Sequence, residues 1–159
     1  MQGKYGVFAV TAVAALAVAG AAFGATRAVI VGTPGNDALR GTLRADVMYG
    51  KAGNDDVHGR SGNDVLHGGD GNDVLYGGDG NDSIWGGLAG DIEYGGPGDD
   101  ALHSLVGDNA VDALDCGAGN DTAYVNSRKY SAHLIKVRGC ERIVLASPDS
   151  PDVSQDSGD

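Results

Sequence analysis

A fixed nine-residue phase constrains this chain more than any other feature. From Gly32 to His103 the sequence divides without gaps into eight blocks: GTPGNDALR, GTLRADVMY, GKAGNDDVH, GRSGNDVLH, GGDGNDVLY, GGDGNDSIW, GGLAGDIEY and GGPGDDALH. Position one is always Gly. Position six is always Asp, giving Asp37, Asp46, Asp55, Asp64, Asp73, Asp82, Asp91 and Asp100. Position eight is apolar in seven blocks, the exception being Glu93, and position four is Gly in six, replaced by Arg44 and Ala89. A unit this short cannot bury a core alone, so repetition at one period means that units stack. The alternative for a chain with 28 Gly in 159 residues is acidic disorder, which requires no phase.

These blocks resemble the RTX family, whose nonapeptide GGxGxDxUx, with U a large apolar residue, is a calcium-binding β-helix repeat. Blocks five and six match it at every specified position. The resemblance weakens but continues to Val125: SLVGDNAVD from Ser104 reads as a decayed copy and CGAGNDTAY from Cys116 as a better one, with Ala113 to Asp115 as three extra residues between them. It implies an all-β chain, a parallel β-roll (β-solenoid) with two repeats per coil, and calcium in the turns. Many larger RTX proteins are proteases, lipases or toxins. This sequence contains no HExxH and no GxSxG, so a non-enzymatic calcium-binding protein is expected; the alternative is a calcium-stabilised accessory or fragment of a secreted RTX enzyme or toxin.

The residues themselves account for calcium. Gly at positions one and four is expected to enter φ > 0 conformations and let the first six residues turn tightly, leaving the last three as a short strand with position eight inward. Stacked coils about 4.8 Å apart place Leu39, Val57 and Leu75 in one internal row and Met48, Leu66, Ile84 and Leu102 in the facing row. The same stacking lines up Asp37, Asp55, Asp73 and Asp91 on one edge and Asp46, Asp64, Asp82 and Asp100 on the other. Two carboxylates about 5 Å apart repel by roughly 3 kcal/mol at an effective dielectric constant near 20. One aliphatic side chain per block does not offset that. A cation between coils does, and calcium suits carboxylates and turn carbonyls because it accepts six to eight oxygens in adaptable geometry. Three ions per row give about six, with Asp46 and Asp91 the weaker sites because Arg44 and Ala89 disturb their turns. A seventh site pairs Asp100 with Asp121, while Asn109 weakens the equivalent place in the other row. A solenoid that holds its turns without metal is the competing expectation; Asn at position six would serve that design without the charge.

The remaining segments fit an exported protein. Residues 1–28, with Lys4 followed by the apolar stretch Val7 to Ala22, read as a signal peptide, which implies a secreted, extracellular protein with no membrane span in the mature chain. Residues 29–125 then form the roll, 126–146 a C-terminal β cap, and 147–159 a disordered acidic tail. Only Cys116 and Cys140 are present, and in an oxidising compartment they are expected to pair. The whole chain has 11 Lys and Arg against 22 Asp and Glu, of which 20 are Asp. Without Lys4 and Arg27 nine basic residues face the same 22 acids, a mature charge of −13, and nucleic acid is not an expected partner. Position nine carries Arg40, Tyr49, His58, His67, Tyr76, Trp85, Tyr94 and His103. These form two outward ladders that either stabilise the sheets by stacking or bind a glycan or cell-surface polymer. The oligomeric state is not legible in the sequence.

Overall fold

The chain was analysed as a computed structural model, described over residues 27–105, 108, 110–128 and 134–147. The expected signal peptide up to residue 26, Asn109, and the expected tail from residue 148 lie outside the described residues. Strands alternate between two parallel sheets as the chain advances. One sheet runs β1 (Ala28–Val31), β3 (Asp46–Ala52), β5 (Val65–Asp70), β7 (Ser83–Leu88), β9 (Ala101–Ser104), β11 (Thr122–Asn126) and β13 (Arg142–Ala146). The other runs β2 (Ala38–Arg40), β4 (Asp56–Ser61), β6 (Val74–Asp79), β8 (Ile92–Pro97), β10 (Asp112–Ala118) and β12 (Ile135–Arg138). Every pairing is parallel, and in the repeats each residue meets its equivalent 18 positions on, as Leu66 does Ile84 and Val57 does Leu75. The expected all-β roll with two blocks per coil is therefore the fold.

Two local expectations need correction. Strands β3 to β8 do not stop at position nine; β5, for example, continues through Gly68 and Gly69 to Asp70. The tight corner is accordingly confined to positions four to six. Positive φ falls at positions two and four, not one and four: Gly69 and Gly71 stand at 119° and 128°, and Lys51, Arg60 and Ala89 at 87°, 87° and 80°. Position one is Gly because of space. A Cβ on Gly32 would lie 2.7 Å from Asp37 Oδ2 and 2.5 Å from the Gly50 carbonyl oxygen, closer than side-chain atoms approach.

The core is the predicted pair of rows. Met48, Leu66, Ile84 and Leu102 face Leu39, Val57 and Leu75, all at most 2% exposed, and the rows extend through Leu114, Ala123, Val125 and Ile135. The rows extend because β12 pairs with β10 and β13 with β11, so the basic C-terminal segment adds a rung to each sheet. Cys116 and Cys140 are joined, with Cα atoms 5.1 Å apart, and this bond ties the last coil to the one beneath it.

The three-residue insertion sits elsewhere than expected. Ala113 pairs with Ile92, Leu114 with Glu93 and Gly117 with Gly96, an offset of 21. The extra residues thus fall in the sequence between β9 and Asp112, and Ala113 to Asp115 are regular strand. Asp112 takes position six of the ninth block, the place the sequence reading gave to Asn109.

Candidate metal rows

Every position-six Asp is buried, at 0–4% exposure. A strand's side chains alternate, so the residue two before the inward position eight also points inward. One carboxylate oxygen, Oδ1, accepts the backbone N–H of the Asp one coil earlier. In the first row Asp55, Asp73, Asp91 and Asp112 accept from Asp37, Asp55, Asp73 and Asp91 at 2.8, 2.7, 2.9 and 3.1 Å. In the second Asp64, Asp82, Asp100 and Asp121 accept from Asp46, Asp64, Asp82 and Asp100 at 2.7, 2.8, 2.8 and 2.8 Å. All nine aspartates singled out from the sequence stand in these two rows. Asp112 was missed, although the stretch Asp112-Ala113-Leu114 repeats the spacing of positions six and eight and would have revealed it had the gap been placed upstream.

The second oxygen carries the chemistry. Oδ2 of Asp55, Asp64, Asp73, Asp82, Asp100 and Asp121 is buried and accepts no hydrogen bond. Except at Asp121, whose block opens with Cys116, beside it lies the position-one Gly of its own block, and where that Gly would carry a Cβ the carbonyl oxygen of the next coil also approaches: Gly77 O at Gly59, Gly95 O at Gly77. Each such cradle holds a carboxylate oxygen and a main-chain oxygen and no donor, an arrangement several kcal/mol unfavourable unless a cation or proton enters. Among the described residues no three His, Cys, Asp or Glu side chains converge, so a resident ion would draw on carbonyls as well as carboxylates. Hard oxygen donors of that kind fit calcium.

Electrostatics agrees with the geometry. Burial foremost, then neighbouring carboxylates, pushes Asp73 and Asp82 up to about 7 and Asp64 and Asp100 up to about 6, against a backbone hydrogen bond that opposes the shift. Asp55 and Asp121 are raised for the same leading reason. Asp56, outside the rows, moves the other way: bonds from Arg40 and His58 outweigh its burial.

Block seven departs from the pattern. Glu93 at position eight is fully buried, accepts the Gly86 N–H at 3.0 Å, and places Oε1 where the other cradles have a carbonyl. The Asp91 rung is thus altered by a core glutamate as well as by the turn residues Ala89 and Gly90.

The position-nine rings stack on one another. Tyr49, His67, Trp85, His103 and Tyr124 form one continuous ladder with centroids 4.3–5.0 Å apart and planes within 13°. His58, Tyr76 and Tyr94 form the other, at 4.3 and 4.8 Å. Arg40 does not join it but pairs with Asp56 at 3.0 Å. Interior rings of both ladders have their faces covered by neighbouring rings, which favours the sheet-stabilising reading of this surface.

No curated protein and no solved structure matches the chain. Residues 31–66 and 58–93 match the family model of the RTX calcium-binding nonapeptide repeat in 4 copies. Residues 31–93 thus carry the RTX calcium-binding nonapeptide repeat, and the parallel roll with two rows of buried aspartates is the fold expected of it.

Proposed function

We propose that this chain is an exported, non-enzymatic calcium-binding module that acquires its roll on meeting extracellular calcium and serves as a surface, matrix or partner-binding element. The observation that carries the reading is the file of buried, acceptor-only Oδ2 atoms from Asp55 to Asp121. Without a counter-ion these oxygens oppose folding, so metal binding and ordering form one equilibrium. About six ions, one between successive aspartates of each row, would neutralise them. The N-terminal apolar stretch supports export, and the Cys116–Cys140 bond supports an oxidising compartment. Among the described residues no helix is long and apolar enough to cross a membrane.

Circular dichroism of the chain lacking residues 1–28 tests this. Coil in chelator and strand in millimolar calcium are expected, with a midpoint on the order of 10⁻⁴–10⁻³ M, as for extracellular calcium modules. Identical spectra in both media would overturn coupled folding, and a submicromolar midpoint would overturn folding after export.

A further inference from the structure

Asp37, Asp46 and Asp112 each have an Oδ2 that accepts hydrogen bonds from the protein itself. Thr33 donates its backbone N–H at 2.5 Å and its hydroxyl at 3.0 Å to Asp37 Oδ2. Thr42 donates its backbone N–H to Asp46 Oδ2 at 2.6 Å. Ser104, standing at position one where the eight regular blocks have Gly, donates its hydroxyl to Asp112 Oδ2. Asp46 is satisfied at both oxygens, since its Oδ1 accepts from Ala28 at 3.1 Å. Asp37 Oδ1 has no partner among the described residues because the ladder of cross-coil bonds begins there.

The difference traces to position two. In blocks three to six that position is Lys51, Arg60, Gly69 and Gly78, at φ of 87°, 87°, 119° and 111°. The peptide before a residue with positive φ is turned so that its N–H does not meet the carboxylate. Thr33 and Thr42 are absent from the positive-φ residues, as expected of a β-branched side chain. Their N–H groups accordingly aim at Oδ2. A donor hydrogen on that oxygen competes for its lone pairs and sets a partial positive charge in the path of any cation.

We propose that Thr33 and Thr42 exclude calcium from the Oδ2 cradles of the first coil, so that the metal rows begin at Asp55 and Asp64 and the N-terminal coil is closed by peptide donors. Ser104 closes the Asp112 cradle in the same way. This rests on the calcium reading above and refines it: of the six inter-aspartate sites in the eight blocks, the two that need Asp37 or Asp46 stay empty.

Carboxyl carbon NMR shifts of the unaltered mature chain, followed through a calcium titration alongside calorimetric ion counting, provide the test. Coupled folding moves every Asp signal, so the comparison is made in the formed roll: replacing bound calcium by lanthanum is expected to shift the Asp64, Asp73 and Asp82 carboxyl signals and to leave those of Asp37 and Asp46 in place. Thr33→Gly converts GTPGNDALR to the GGPG opening of block eight; it is expected to make the Asp37 signal sensitive to that exchange and to add one ion per chain. Movement of the Asp37 and Asp46 signals on exchange in the unaltered chain equal to that of Asp64 would overturn the exclusion, whether or not the variant folds. So would an unchanged ion count in a folded variant. Absence of any calcium uptake would overturn the calcium reading itself, and this proposal with it.

Discussion

Replacing Asp73 by Asn should change stability in opposite directions with and without calcium. Asp73 is 1% exposed; its Oδ1 accepts the Asp55 N–H at 2.7 Å, and its Oδ2 has no donor. Asn keeps an acceptor for Asp55 and turns an NH₂ toward the Gly86 carbonyl that shares the Gly68 cradle. Burial pushes Asp73 from 3.8 up to about 7. At about 1.4 kcal/mol per pH unit, that difference is on the order of 4 kcal/mol against the ionised form, and relaxation of the site reduces it to about 2–4 kcal/mol. In chelator above pH 7, Asp73→Asn should therefore favour the roll by about that amount, and a folding osmolyte such as trimethylamine oxide should reach its midpoint at lower concentration. In calcium the substitution removes a carboxylate between two successive ions. A tenfold loss of affinity at each is about 1.4 kcal/mol per site, so the urea midpoint should fall by the equivalent of about 3 kcal/mol. A change of the same sign in both media would refute the claim that this carboxylate is retained for a cation.

Other perturbations separate the forces. In chelator, stability should decline as pH rises: between 3.8 and the folded values of about 6 to 7 for Asp64, Asp73, Asp82 and Asp100, the roll holds more protons than the unfolded chain. Strand dichroism should thus appear near pH 4–5 without metal and vanish as pH passes 7; growth of strand with rising pH in chelator would contradict the shifts. Leu75→Ala, at a fully buried position, should cost about 2–5 kcal/mol in calcium-bound urea melts, since no second layer closes over the cavity. Reducing Cys116–Cys140, which are separated by 24 residues, should lower stability by about 3 kcal/mol on loop entropy, read as a fall in thermal midpoint under reductant.

The architecture was legible because its signal is translational. One inward apolar residue per nine, at constant phase, fixes both sheets and both core rows, and Leu66 meets Ile84 as the spacing required. The disulfide followed from having only two cysteines in an oxidisable segment. What escaped was decided by close approach, which a one-dimensional pattern does not display. Position one is Gly because Asp oxygens and carbonyls occupy its Cβ space, whereas Lys51 and Arg60 adopt the positive φ that composition would assign to glycine. Asp112 was hidden because an insertion inside a corner and one inside a strand leave the same total length; only the pairing of Leu114 with Glu93 distinguishes them. The closure of the Asp37 and Asp46 cradles by Thr33 and Thr42 was likewise invisible, since a Thr in place of a Gly reads as decay of the motif and not as a hydrogen-bond donor.

The central claim is that a cation lies between successive aspartates, and a crystal of residues 29–159 grown in calcium tests it most directly. Anomalous difference density is predicted beside Oδ2 of Asp55, Asp64, Asp73 and Asp82, within 2.3–2.6 Å of carboxylate and carbonyl oxygens from two adjacent coils. Density that shows these oxygens bonded only to protein or water, with no anomalous peak between the coils, would contradict it.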